Sequence, residues 1–137
     1  LRQFSNVYIE QRFFKHDEIA ALHKEYGVFL CPTRWDSHGV SRDEAMSSGL
    51  VPVTNAVAAI PEFADEDCGM LAKSEDAQGL AEGIAYLYEN PQQYSRLSTN
   101  AAKRVRMQSA LKKIITLELE MFIAEEPFAI LLCSAEK

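Results

Sequence analysis

Val28-Phe29-Leu30-Cys31 is an unbroken apolar run closed by Pro32. A strand with one wet face alternates apolar and polar residues. A continuous run instead suits a strand buried on both faces, as in a parallel sheet. Parallel neighbours need long crossovers, usually helices. The flanking sequence supplies both kinds of element. Val7-Tyr8-Ile9 is β-branched and aromatic and predicts an earlier strand. Ile19, Leu22 and Tyr26 recur at helical spacing, with Asp17 placed to cap that helix and Gly27 to stop it. Beyond the run, Ser41 and Glu44 form an S-x-x-E capping box that opens a helix through Ser48, closed by Gly49. Leu50 to Thr54 predicts the next strand, with Pro52 an unusual residue inside it. A turn around Pro61-Glu62-Phe63 leads to a fourth short strand, Gly69 to Ala72.

The second half is helical. Ala77, Leu80, Ala81, Ile84 and Leu87/Tyr88 form one stripe. Asn90-Pro91 reads as an N-cap followed by proline at the first helical position. Tyr94 and Leu97 predict a helix there, and Ala101, Ala102 and Val105 a separate one. Ser109 is placed to cap a last helix carrying Leu111, Ile114, Ile115, Met121 and Phe122, which Pro127 ends; the apolar tail Phe128 to Cys133 is ambiguous. Alternating strands and helices predict an α/β layered sheet. In such sheets ligands sit at the carboxyl ends of the strands. That rule points to residues 10–16 and 32–41.

Composition narrows the functions. The 137 residues carry a formal charge of −6, so phosphate-driven nucleic-acid binding is disfavoured. Hydrophobic content of 47% excludes a disordered chain. No apolar run approaches the ~20 residues of a membrane-spanning helix, and the first ten residues lack the apolar segment of a signal peptide. Cys31, Cys68 and Cys133 are odd in number and far apart, which fits reduced thiols better than a disulfide framework or a metal site. The chain starts at Leu1 and enters a strand-like segment almost at once, as a piece of a longer polypeptide would.

The chemistry concentrates in Cys31 to Val53, CPTRWDSHGVSRDEAMSSGLVPV. A buried strand ends, a polar loop carries Asp36, Gly39 permits positive φ, and a helix begins with free amides from about Val40 to Asp43. Such a helix N-terminus is a ready anion site, and phosphate is the usual anion. Glu44 lies one turn inside the helix. Carboxylates beside a diphosphate repel it, but they are suited to accept hydrogen bonds from sugar or ribose hydroxyls. Amides for phosphate plus two hydroxyl-reading carboxylates describe a nucleotide-sugar site.

These residues resemble the E-x7-E motif of the group 1 family of retaining glycosyltransferases, which have two Rossmann-like domains (the GT-B fold). Pro32-Thr33 stands for the family's PS pair, Asp36 for its first acid, Gly39 for its loop glycine and Glu44 for its second acid. Glu44 to Gly49 is similar to its EAM-x-x-G helix end, and Val51-Pro52-Val53 to its next strand. Val7 to Phe14 resembles the strand and loop that reach the base, Cys68 to Leu71 the N-G-L-L element, and residues 76–123 the closing helices. The resemblance implies a Rossmann-like parallel sheet flanked by helices, the C-terminal half of a GT-B enzyme lacking its first part. Residues 1–125 would form this donor-binding domain and 126–137 a tail.

By resemblance, Asp36 would be the catalytic-site acid touching the transferred sugar. Ser37, His38 and the amides of Gly39, Val40 and Ser41 would surround the diphosphate. Glu44 would hold the ribose, and Phe13 or Phe14 would flank the base. No metal or cofactor is implied beyond the nucleotide-diphosphate sugar itself. Implied partners are a saccharide or lipid-linked acceptor and an N-terminal domain of the same polypeptide. The implied location is the cytoplasm, with peripheral contact at the inner membrane face as a further option.

The departures are specific. Asp36 is one methylene shorter than the usual Glu, and His38 replaces an aromatic. Asn55 to Ile60 carries alanines where glycines are common, and the basic pair that clamps the diphosphate has no counterpart after Leu1. A UDP-sugar 2-epimerase of the same fold is an alternative, because Asp36 to Gly39 echoes its D-S-G-G string. A non-catalytic nucleotide-binding module is another. His38 reads as a proton-transfer group or a surface residue, and Trp35 as a stacking platform or sheet-edge packing. His16 and His23 read as solvated. Lys103, Arg104, Arg106, Lys112 and Lys113 read as a solvated face or a contact with anionic lipid.

Overall fold

A computed structural model describes residues 4–123. The elements in chain order are α1 (His16–His23), β1 (Val28–Cys31), α2 (Val40–Ser47), β2 (Val51–Asn55), α3 (Ile60–Phe63), β3 (Met70–Ala72), α4 (Ala77–Glu89), α5 (Pro91–Ser109) and α6 (Leu111–Ile123). The three strands form one parallel sheet in the order β1-β2-β3. Val28 stands beside Val51, and Val53 beside Met70. This is the expected α/β layered arrangement.

Central β2 is buried at every residue, and its side chains alternate between the two faces of the sheet. Val51 and Val53 join Ala72, Leu80, Leu87 and Leu97 on the α4 side. On the other face Met46, Ala64, Cys68 and Ala101 pack together from α2, the α3–β3 segment and α5. Helix α5 serves both cores, through Leu97 on one and Ala101 on the other.

Pro52 sits in this central strand at little cost. The Val51 amide donates to the Gly27 carbonyl on the β1 side (2.9 Å), so the Pro52 nitrogen faces the other way. There β3 begins only at Met70, opposite Val53, and no ladder bond is lost. The end of α2 is set by Gly49 at φ 88°. The Gly49 amide donates to Met46 O (2.9 Å) and the Leu50 amide to Ala45 O (3.1 Å), the paired bonds of a Schellman ending. Ser98 of α5 donates its hydroxyl to Gly49 O (2.6 Å), anchoring this turn under β2.

Several sequence expectations are corrected. Val7 to Ile9 forms no strand: Tyr8 is exposed, and among the described residues no neighbouring strand takes the backbone bonds. The sheet therefore has three described strands, not four. Strand β1 is an edge here, so Leu30 is exposed rather than buried on both faces. Helix α1 is capped from Lys15, whose amide donates to Glu18 (2.8 Å). It ends at His23, leaving Asp17 inside the first turn and Tyr26 beyond the helix.

The capping box at Ser41 is absent. Gly39 is the N-cap of α2, with no side-chain cap, and Ser41 lies within the first turn. Tyr88 is exposed, and Gly83 faces the core in α4, where an added Cβ would stand a tight 3.2 Å from the Met70 Cβ. Residues 91–109 form one helix where two were expected. The first turn of α6 bonds back to Ala110 O, and Ser109 is instead the last residue of α5. Pro127, Cys133 and the 126–137 tail lie outside the described residues. No helix among those described is long and apolar enough to cross a membrane.

Candidate functional site

The site is the turn from β1 into α2. Gly39 has φ 80° and ψ 55°, a left-handed conformation that glycine adopts without strain. A Cβ there would stand 2.7 Å from Arg42 Nη1 and 3.1 Å from Asp36 Oδ2. The turn is therefore filled up to the glycine. Asp36 Oδ1 accepts the His38 amide (3.1 Å), folding the loop on itself, and Asp36 O accepts the Ala59 amide (3.3 Å) from the β2–α3 loop.

Two residues of the first turn support this loop from beneath. Arg42 is 1% exposed; its Nη2 donates to the His38 carbonyl and to Asp43 Oδ1 (2.9 Å). Asp43 Oδ2 faces His38 Nε2 at 3.0 Å and accepts the Ser109 hydroxyl of α5 (3.4 Å). The His38 ring also stacks on Phe63, with centroids 4.3 Å apart. His38 is thus a surface residue, as expected, but one held in place by Asp43 and Phe63. Arg42 Nη1 is buried and has no partner among the described residues.

Above this support, the first amides of α2 at Val40, Ser41 and Arg42 face the end of the helix without backbone partners, as at any helix N-terminus. The Asp43 amide is already bonded to Gly39 O (3.1 Å), so the free set stops at Arg42. Ser37, Val40 and Ser41 are exposed. Glu44 stands one turn in, half-buried, with Oε1 3.5 Å from His16 Nδ1. That contact brings His16, at the start of α1, beside α2, although no strand precedes it among the described residues.

Within that segment Phe14 is half-buried under the Arg12 guanidinium, 4.0 Å from the ring centroid, while Phe13 projects fully into solvent. Arg12 also bonds Glu18 (2.9 Å); the Lys15 amide and Arg12 hold the Glu18 carboxyl below its usual range. His16 is exposed as expected, while His23 is half-buried, with its ring edge-on to Phe29.

Asn55 ties the strand ends together. Buried at the end of β2, it accepts the Thr33 amide (3.1 Å) and donates to Lys73 O (2.6 Å), joining the loops after β1 and β3. Among the described residues no cluster of His, Cys, Asp and Glu has the geometry of a metal site. The basic stretch is divided: Arg104 is paired with Asp65, and Lys113 bonds Met107 O.

The Arg42–Asp43 pair escaped the sequence reading, although a signal existed. Arg42 lies three and four residues before the buried Ala45 and Met46, so helical phase turns it inward.

A parallel sheet whose first crossover helix opens on a left-handed glycine, with a carboxylate on either side, defines an α/β layered domain. The family model of the glycosyl transferases group 1 matches residues 6–104, and the chain belongs to that family. Two curated relatives are similar to it. One is an uncharacterized 41.2 kDa protein of the Klebsiella pneumoniae cps region, 39% identical over 66 residues, covering 47% of this chain and 18% of that protein. The other is the lipopolysaccharide core biosynthesis mannosyltransferase LpsB of Rhizobium meliloti, 22% identical over 102 residues, covering 72% of this chain and 29% of that one.

Among solved structures, sucrose-phosphate synthase from Thermosynechococcus elongatus superposes with a TM-score of 0.73 at 23% identity, over 80% of this chain and 28% of that one. A single-site mutant of S. aureus TarM, in complex with fondaparinux, α-GlcNAc-glycerol and UDP, gives a TM-score of 0.67 at 17% identity, over 77% of this chain and 22% of that one. These likenesses establish the fold as part of a Rossmann-like domain of GT-B type. The chain spans less than a third of the length of each of these proteins.

Proposed function

We propose that this chain is the donor-binding C-terminal domain of a retaining, metal-independent glycosyltransferase, working with an N-terminal domain of the same polypeptide that shares in holding the acceptor. The observation behind this reading is the Gly39 turn, which opens the α2 amides between Asp36 and Glu44. The amides of Gly39, Val40 and Ser41, aided by the helix dipole, hold the donor diphosphate. They also stabilise it as it leaves, where charge develops in the transition state. Glu44 accepts the ribose hydroxyls and Asp36 those of the transferred sugar. Phe13 is free to lie on the base, whereas Phe14 is occupied by Arg12.

Calorimetric titration of the full-length protein with UDP, GDP and ADP, then with their sugars, tests this. UDP comes first because the TarM complex contains it, and GDP-mannose because of the mannosyltransferase relative. The expected result is a diphosphate that binds, a sugar nucleotide that binds more tightly, and loss of that extra affinity in Asp36→Asn. If no diphosphate binds a folded full-length protein, the reading fails.

A further inference from the structure

A second cleft, of about 590 Å³, opens at the carboxyl ends of the strands between the β1–α2 loop and the start of α4. Pro32, Trp35 and Leu80 contribute apolar walls; Arg34, Glu75 and Asp76 contribute charge. Trp35 is 79% exposed, which is unusual for the largest apolar side chain. Its backbone is nonetheless fixed. The Thr33 hydroxyl donates to Trp35 O (2.9 Å), and the next residue is tied to Ala59. Across the cleft, Glu75 has φ 57°, a conformation that costs a non-glycine residue about 1–2 kcal/mol. Its carboxylate is held there by Arg34 Nε at 2.8 Å.

We propose that this cleft is a saccharide subsite, taking a sugar unit of the acceptor beside the donor. The proposal rests on the glycosyltransferase reading. Two carboxylates against one guanidinium, itself paired, disfavour phosphate and hence the nucleotide. An uncharged, hydroxyl-rich ligand meets no such repulsion. Arg34 donates to its hydroxyls and Glu75 accepts from them. The C–H face of a sugar ring carries slight positive charge and lies against the negative face of an aromatic ring. Trp35, whose backbone is held before any ligand arrives, provides that face on a fixed loop.

Trp35 is the single tryptophan in the sequence, so tryptophan emission reports on this cleft. The experiment titrates the chain with methyl α-glucoside, methyl α-mannoside, methyl α-galactoside and N-acetylglucosamine. Each is run with and without the nucleotide diphosphate found to bind. A saturable blue shift that persists at saturating diphosphate, together with loss of saccharide binding by calorimetry in Trp35→Ala at unchanged diphosphate affinity, supports the subsite. A shift abolished by the diphosphate overturns it, because the cleft would then belong to the donor. No shift with any of these sugars, while diphosphate binds, overturns the subsite and leaves the functional reading standing. Failure of every diphosphate removes that reading and the subsite with it.

Discussion

Arg42 and Asp43, consecutive residues in the first turn of α2, form an ion pair of 2.9 Å with Arg42 only 1% exposed. Breaking a buried pair by removing one partner costs about 3–5 kcal/mol, because the other charge is left uncompensated; replacing both with apolar groups is often close to neutral. Arg42→Ala also frees the His38 carbonyl. We therefore expect Arg42→Ala to lose about 3–5 kcal/mol in chemical denaturation, and the double variant Arg42→Met, Asp43→Leu to lose markedly less. Equal losses would reject the view that Arg42 is there to neutralise Asp43.

Gly39→Ala probes the same turn from the backbone. At φ 80° an alanine costs about 1–2 kcal/mol, and its Cβ would stand 2.7 Å from Arg42 Nη1. The variant should unfold at lower temperature and lose diphosphate affinity at temperatures where it is still folded. Normal diphosphate affinity in the folded variant would show that the turn is not part of the anion site.

Much of this arrangement is legible in the sequence, and the losses have physical causes. The strand at Val28 to Cys31, the Asn90-Pro91 helix start and the Gly49 stop all depend on neighbours a few residues away, and all three are present, though the strand is not buried on both faces. The segments that misled depend on distant partners. Val7 to Ile9 has strand chemistry but no neighbour to pair with among the described residues. Ser41 and Glu44 match a capping box, yet the left-handed Gly39 starts the helix two residues earlier. Ser109 looks like a cap until α5 brings it to Asp43, 66 positions away in the chain. At the site, the positions of Asp36, Gly39 and Glu44 are readable, while the buried support from Arg42, Asp43 and Phe63 needs the fold.

Glu44 and Asp36 separate by ligand. Removing a charged acceptor of a hydrogen bond costs about 1.5–3 kcal/mol. Glu44→Ala should weaken the nucleotide diphosphate by that amount with or without a sugar attached, since its assigned partner is the ribose. An affinity for the diphosphate unchanged in Glu44→Ala would remove that role.

Cys31 lies at the end of β1, next to the Asp36 loop. Burial pushes its thiol up, and the Asp36 charge pushes it further; Arg42 opposes both. A raised thiol is less ionised at neutral pH and alkylates slowly. Asp36→Asn removes the charge while keeping an oxygen for the His38 amide, so Cys31 should alkylate faster in that variant, as read by mass spectrometry. Cys68, 1% exposed and also raised chiefly by burial, should stay protected in both until the protein unfolds. Equal Cys31 rates in the two proteins would place the Asp36 carboxylate elsewhere.

The pair Asp65–Arg104 joins the α3–β3 loop to α5, and it sets part of the acid stability. Burial on its own raises the Asp65 carboxyl. The Arg104 bond, the Asp67 amide and the Arg104 charge together outweigh burial and leave the carboxyl below its usual range. The same bond holds Arg104 above its own. A carboxyl lowered in the folded state binds its proton more readily after unfolding. Its contribution is thus complete above about pH 4, the unfolded range, and fades as the pH falls through the lower native value. Arg104→Gln should therefore destabilise the protein by a constant amount near neutral pH, with the gap to the parent closing on acidification. Unfolding curves taken from pH 7 down to the acid transition measure this gap. A gap that stays constant into the acid range would mean that Asp65 is not the group Arg104 stabilises.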